Sequence, residues 1–201
     1  MNPTRLGFLA SHRGTNMQAV IDACNSGRLN AEPVVIISNN GDSMALERAT
    51  NEGIPAYHIG SKAFPDENER DRVICETLIK HRVDLVVLAG YMKRIGPQTL
   101  DTFRGKIINI HPSLLPRHGG EGMYGIKVHE AVIAAGEKET GVTVHLVDDA
   151  YDSGRILAQS KVPVMEADTA ESLAERVLKT EHVLYVDTLD RILSGEIKLS
   201  S

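Results

Sequence analysis

The chain predicts an α/β fold: a Rossmann-like open, mostly parallel sheet with helices on both faces and an antiparallel C-terminal strand region. Three observations carry this. From Leu6 to Gly90, short runs rich in Val, Ile and Leu alternate with stretches of helical periodicity, the pattern of right-handed βαβ crossovers. Glycine and polar residues punctuate the strand–helix junctions. Late in the chain, the strand-like runs Gly141–Val147 and Arg155–Pro163 are separated by a connection too short for a parallel crossover, so the later run is predicted antiparallel. With 201 residues the chain has enough for one sizeable core and too few for two ordinary domains, so one domain over 1–201 is expected.

Leu6–Ala10 reads as a buried first strand, and Met17, Val20, Ile21 and Cys24 as the inner stripe of a helix stopped at Gly27. Pro33–Ser38 is a second strand, Met44–Glu52 a helix stopped at Gly53, and Ala56–Ile59 a short third strand. A helix is predicted over Asp66–Arg82, with Val73, Leu78 and Ile79 among its apolar positions, followed by a fourth strand at Asp84–Gly90. Ile107, Ile108 and Ile110 are β-branched and favour a strand, which Pro112 ends by removing a backbone donor. The Arg117–Gly125 stretch carries four glycines, implying special backbone angles or close approach to a ligand. It leads into a helix with Val128, Ala131, Val132 and Ala135, on which His129 reads as a surface or packing residue. Thr169 opens a long helix with Glu171 and Glu175 early, as its dipole favours, and Leu173, Val177 and Leu184 inward.

Composition narrows the function classes. A net charge of −5 argues against a general nucleic-acid binder. No apolar run approaches membrane-spanning length, and the N-terminus lacks a signal-peptide core. Cys24 and Cys75 fit no metal spacing and read as reduced, small apolar residues of a cytoplasmic protein. No metal is expected, since motifs such as H-E-x-x-H are missing from the sequence.

The chemistry-bearing stretch is Asn109-Ile110-His111-Pro112-Ser113-Leu114-Leu115-Pro116. Asn109 and His111 lie two apart, so on a strand both face the same way, at the end where open α/β sheets bind ligands. The loop Asp148–Gly154 could bring a carboxylate to His111 and orient it as an acid–base group. Ser11-His12-Arg13-Gly14-Thr15-Asn16 joins a strand to a helix, and the free N–H groups of such a junction suit a phosphate; the same loop would also serve as a plain tight turn. After the fourth strand, Met92 and Ile95 beside Lys93 and Arg94 could form an apolar slot with a charged mouth, or simply start a helix. Glu181-His182 sits mid-helix and reads equally as an exposed pair or a ligand contact.

On the Asn109–Pro116 run, Asp152-Ser153-Gly154 and Arg13–Asn16, nearly the whole chain resembles the 10-formyltetrahydrofolate-dependent formyltransferase family, most closely its purine-biosynthesis branch. The resemblance implies formyl transfer to the amine of 5-phosphoribosylglycinamide, with 10-formyltetrahydrofolate as co-substrate. It implies that Asn109, His111 and Asp152 are catalytic. Gly14, Thr15 and Asn16 would hold the substrate phosphate and Glu181 its ribose; Met92, Lys93, Arg94, Ile95 and Asn109 would hold folate. Members commonly carry one arginine at Lys93 and an apolar residue at Arg94, and many have a basic residue at Glu67, which is therefore not counted as a ligand. Relatives that formylate methionyl-tRNA usually have glycine at Pro112, and formyltetrahydrofolate hydrolases share the catalytic core. Small molecules are thus the expected partners of a monomer or homodimer.

Overall fold

The computed structural model describes residues 2–199. The elements run β1 (Thr4–Ala10), α1 (Thr15–Asn25), β2 (Ala31–Ser38), α2 (Met44–Asn51), β3 (Ala56–His58), α3 (Glu67–Lys80), β4 (Leu85–Leu88), α4 (Pro97–Thr102), β5 (Ile107–His111), α5 (Ile126–Ala134), β6 (Glu139–Leu146), β7 (Ile156–Pro163) and α6 (Ala170–Leu193). They form one seven-stranded sheet in the order β3-β2-β1-β4-β5-β6-β7, parallel from β3 through β5 and antiparallel across β5-β6-β7. The mostly parallel sheet with an antiparallel late region is the predicted fold class.

Burial on both faces explains the near-continuous apolar strands. One core packs α1, α2, α5 and α6 against the sheet through Met17, Ile21, Ala45, Val132, Leu173 and Val177. The other packs α3 and α4 through Ile74, Leu78 and Leu100. Element ends differ from the sequence reading for identifiable reasons. The third helix begins at Glu67 because the Asp66 side chain accepts from Glu69 N–H as an N-cap, and it stops at Lys80 because Arg82 adopts a φ of 50°. Ile79, counted among the apolar positions of this helix, is 54% exposed, whereas Leu78 is fully buried.

Two side chains tie helices to the loops at the carboxyl ends of the strands. Tyr185, fully buried on α6, donates to the Leu88 carbonyl at 2.8 Å and lies 3.3 Å from the Ile108 carbonyl. Leu88 is the last residue of β4 in its pairing with β5, and Ile108 lies inside that ladder, so the helix is tied to the backbone of both strands. Asp71 on α3 is likewise buried. It accepts from Gln98 N–H (2.7 Å), Thr99 N–H (3.2 Å) and the Thr99 hydroxyl (2.6 Å), so a carboxylate caps the start of α4. That anchor closes the turn that runs from Gly90 to Gly96.

Asp71→Ala would leave two α4 N–H groups without partners and the Thr99 hydroxyl with only the longer contact, 3.4 Å, to the backbone carbonyl of residue 71. A loss of about 2–3 kcal/mol is expected, read as a lower denaturant midpoint at unchanged m-value. Asp71→Asn, which keeps one acceptor, should lose less than half of that.

Candidate functional site

The strand order reverses between β1 and β4, and the loops leaving these strands diverge at their carboxyl ends. A cleft of about 780 Å³ opens there. It runs from the loop before α1, past the end of β5, to the turn after β4 and the loop between β6 and β7. Gly14, Thr15, Asn16, Met92, Lys93, Arg94, Ile95, Asn109, His111, Asp152 and Glu181 all line it, so residues spread over most of the chain meet in one cavity.

Strand pairing builds its centre. In the antiparallel β5–β6 register Asn109 lies opposite His145, and His111 opposite Thr143. Thr143 pins the chain beyond His111: its hydroxyl accepts from Leu115 N–H at 3.0 Å and donates to the Ser113 carbonyl at 2.7 Å. His145 Nδ1 donates to the Leu146 carbonyl at 2.8 Å, and its Nε2 lies 3.2 Å from the Asn109 amide nitrogen. The Asn109 amide thus sits beside His145 on the wall of the cleft.

Asp152 arrives from the β6–β7 loop. Its φ of 53° is left-handed, a conformation that Asp tolerates better than most residues. Nearby, a Cβ on Gly154 would fall 1.9 Å from the Leu146 carbonyl oxygen, so only glycine lets the loop turn back this closely. The Asp152 carboxylate accepts from Gly120 N–H at 3.0 Å. It also lies 3.4 Å from His111 Nδ1 and 3.5 Å from His145 Nε2. Burial works to raise its pKa, but the His145 contact, the His111 charge and the Gly120 hydrogen bond together lower it below the ordinary value. The carboxylate therefore stays ionised.

His111 is buried, and both its nitrogens face acceptors: Nδ1 the Asp152 carboxylate, and Nε2 the His118 carbonyl at 2.9 Å. Burial lowers its pKa, Asp152 and the carbonyl raise it, and burial prevails. His111 is thus a largely neutral base near neutral pH whose proton affinity rises when negative charge appears beside it. A half-buried amide donor, a titratable imidazole and a fixed carboxylate can stabilise an oxyanion and shuttle a proton.

The other cleft residues take varied positions. Gly14 caps α1 with φ 64°, and a Cβ there would meet Ala45 Cβ at 3.0 Å. The α1 N-terminus has no side-chain cap, so its first N–H groups remain available to an anion. Glu181 is 8% exposed, which overturns the exposed-pair reading for that residue. Burial pushes its pKa up to about 7, against a hydrogen bond from the Asn16 side chain. In the turn after β4, Ile95 is buried, Met92 half-buried and Lys93 exposed, and Arg94 donates to the Asp149 carbonyl. Ile95 and Met92 thus add apolar surface to the cleft wall, while Arg94 is tied to the loop between β6 and β7. Glu67 is exposed at the start of α3, pairs with Arg70 and does not line the cleft.

Two further histidines lie at the site, one of them missed by the sequence reading. His145 was taken only as a strand residue; the available signal was that Thr143 and His145 interrupt one face of an otherwise apolar strand. His129 is 4% exposed, so it is packed rather than on the surface. Burial first, and the nearby His111 second, bring its pKa down to about 4. It also lines the cleft. Among the described residues no cluster of His, Cys, Asp or Glu could hold a metal ion, and no helix is long and apolar enough to cross a membrane.

Comparison with known proteins places this geometry. The formyl transferase family profile matches residues 4–189. The chain is 38% identical over 195 residues to a phosphoribosylglycinamide formyltransferase of Haemophilus influenzae, covering 97% of this chain and 90% of that protein. A chloroplastic phosphoribosylglycinamide formyltransferase of Arabidopsis thaliana is 41% identical over 195 residues. The alignment covers 96% of this chain and 67% of the plant protein, and only 62% of the Vigna unguiculata counterpart. In trifunctional purine biosynthetic proteins such as that of Chironomus tentans, the matched region is 14% of the length. Among solved structures, glycinamide ribonucleotide transformylase 1 from Symbiobacterium toebii superposes with a TM-score of 0.93 at 38% identity, covering 100% of this chain and 92% of that one. A formyltetrahydrofolate deformylase from Pseudomonas syringae superposes with a TM-score of 0.88 at 25% identity, over 98% of this chain and 63% of that one. The chain belongs to the formyl transferase family, among the phosphoribosylglycinamide formyltransferases.

Proposed function

We propose that this enzyme transfers the formyl group of 10-formyltetrahydrofolate to the amine of 5-phosphoribosylglycinamide, giving formylglycinamide ribonucleotide and tetrahydrofolate in purine biosynthesis. The observation that carries this is the Asn109, His111, Asp152 and His145 cluster at the centre of a cleft open to both the loop before α1 and the turn after β4. A cytoplasmic monomer or homodimer using no metal goes with this reading.

In this scheme folate lies between Met92–Ile95 and the Asp148–Asp152 loop, with Lys93 and Arg94 at the mouth and the formyl group at Asn109. The phosphate sits at Gly14, Thr15 and Asn16, and the ribose hydroxyls meet Glu181. The amine attacks the formyl carbon and the carbonyl oxygen becomes an oxyanion, which the Asn109 amide stabilises by donation. His111 starts neutral. The growing oxyanion, with Asp152 behind, raises its proton affinity, so it accepts the proton that the attacking nitrogen sheds. The same proton then passes to the departing folate nitrogen as the carbon–nitrogen bond breaks. Each half of the reaction needs the other: a base that is free at the start and an acid that is charged at the end.

The direct assay follows 10-formyltetrahydrofolate with and without 5-phosphoribosylglycinamide. Consumption is expected only with the amine, with one formyl group appearing on the acceptor for each tetrahydrofolate released. Equal consumption without the amine would mean a hydrolase, and a yellow purified protein would point to a flavin-binding module.

Asp152→Asn keeps size and removes charge. Turnover should fall by roughly 10²–10⁴-fold while KM for either substrate changes much less. The limb of the pH–rate profile belonging to His111 should move to lower pH, because the carboxylate that raised its pKa is gone. Near-normal turnover would leave Asp152 a loop residue.

Glu181 supplies a separate pH test. Its ordinary pKa is 4.5 and its folded value about 7, so between these the folded chain holds the proton more tightly than the unfolded chain. Stability from this group is full below about 4.5 and lost as pH rises through about 7. Glu181→Gln has no charge to bury. It should be roughly 2–3 kcal/mol more stable than the parent at pH 8, nearly equal at pH 4, and poorer in binding the ribonucleotide. Chemical denaturation at the two pH values reads the first effect and KM the second.

A further inference from the structure

We propose that Arg13 is the cation that neutralises the phosphate of the ribonucleotide substrate, an inference resting on the acceptor reading above. The loop after β1 is held from behind by α2. Ala45 N–H donates to the His12 carbonyl at 3.1 Å, and Arg48 Nε donates to the Arg13 carbonyl at 2.9 Å. Both carbonyls are thereby turned to α2, while the first N–H groups of α1 lack a side-chain cap. Asn16, 9% exposed, leaves its Oδ1 buried without a partner in the same corner, where a ligand hydroxyl can meet it.

Charge decides what else the corner requires. A phosphate monoester carries about −1.5 to −2 at neutral pH, and a helix N-terminus offers only about +0.5. The wall opposite makes the deficit worse: α6 lines the cleft there with Glu175, Leu178 and Glu181, and with no cation. Arg13 is exposed and lines the cleft. Among the described residues its guanidinium donates no hydrogen bond and joins no ion pair, although its own backbone is clamped by Arg48. A permanently charged, planar fork rooted in a fixed backbone beside unpaired helix N–H groups matches a phosphate in charge and in geometry. His12 shares the loop and the cleft but has no permanent charge.

The test uses the whole enzyme and two acceptors, 5-phosphoribosylglycinamide and its dephosphorylated ribosyl counterpart. In R13Q, KM for the phosphorylated acceptor should rise about tenfold, with kcat changed less than threefold and KM for 10-formyltetrahydrofolate unchanged. The dephosphorylated acceptor should be used equally by R13Q and the parent, and R13K should recover part of the loss. Ribose 5-phosphate serves as a probe independent of turnover: it should raise the melting temperature of the parent and not of R13Q. An equal KM penalty with both acceptors, a larger penalty in H12Q than in R13Q, or an undiminished ribose 5-phosphate shift in R13Q would overturn the assignment. If the parent itself consumed no formyl donor with the amine, the acceptor reading would fall, and the ribose 5-phosphate shift would still decide the role of Arg13.

Discussion

The pairing of β5 with β6 is the constraint on which the site depends. Side chains opposite each other on antiparallel strands stand close, and a slip of one residue would send each to the other face. With Asn109 opposite His145 and His111 opposite Thr143, four polar side chains are delivered to one corner without any loop having to find them. Asp152 is then the only member that must be carried in from irregular structure. Its position is fixed locally, by a left-handed backbone at Asp152 itself and by a glycine at 154 that lets the loop approach Leu146. The precision of the centre thus rests on strand register, with one adjustable element docked against it.

Much of this was legible in the chain. The alternation of apolar runs with helical stripes announced the parallel half of the sheet, because strands buried on both faces have to be apolar throughout. The two-residue spacing of Asn109 and His111 placed both on one face, as found. The contact between Asp152 and His111 was an expectation that only the fold could realise, and the two groups stand 3.4 Å apart. His145 went unread because its partner in space is 36 residues away, and periodicity reports a face but not who sits across it. Glu181 was ambiguous for a related reason: a charged residue on a long helix usually faces water, and only the packing of α6 over the sheet buries this one. Ile79 misled in the opposite direction, since an apolar side chain on a helix flank need not reach the core.

The site is also where the molecule accepts burial it would elsewhere avoid. Glu181, His111 and His129 are all enclosed, and burial is the largest influence on each. The outcomes differ because the neighbours differ. His111 has an ionised carboxylate beside it, His129 has another imidazole, and Glu181 has one amide. Burial lowers both imidazoles, and of the two His111 has a carboxylate, Asp152, that works against the shift, whereas the charge facing His129 adds to it. Such uncompensated groups concentrate where binding or chemistry uses them.

Tyr185 gives the long helix a second meaning. Its hydroxyl grips a carbonyl at the end of β4 and lies beside one within β5, one turn along α6 from Glu181. Four residues of α-helix span about 6 Å, and a hydrogen-bonded helix does not stretch. The Glu181 carboxylate and the backbone of β4 and β5 are therefore mounted on a common rigid beam. The spacing between Glu181 and the strands that carry Asn109 and His111 is set by helical pitch rather than by loop conformation. Loops around the rim can vary in length and composition without changing that distance.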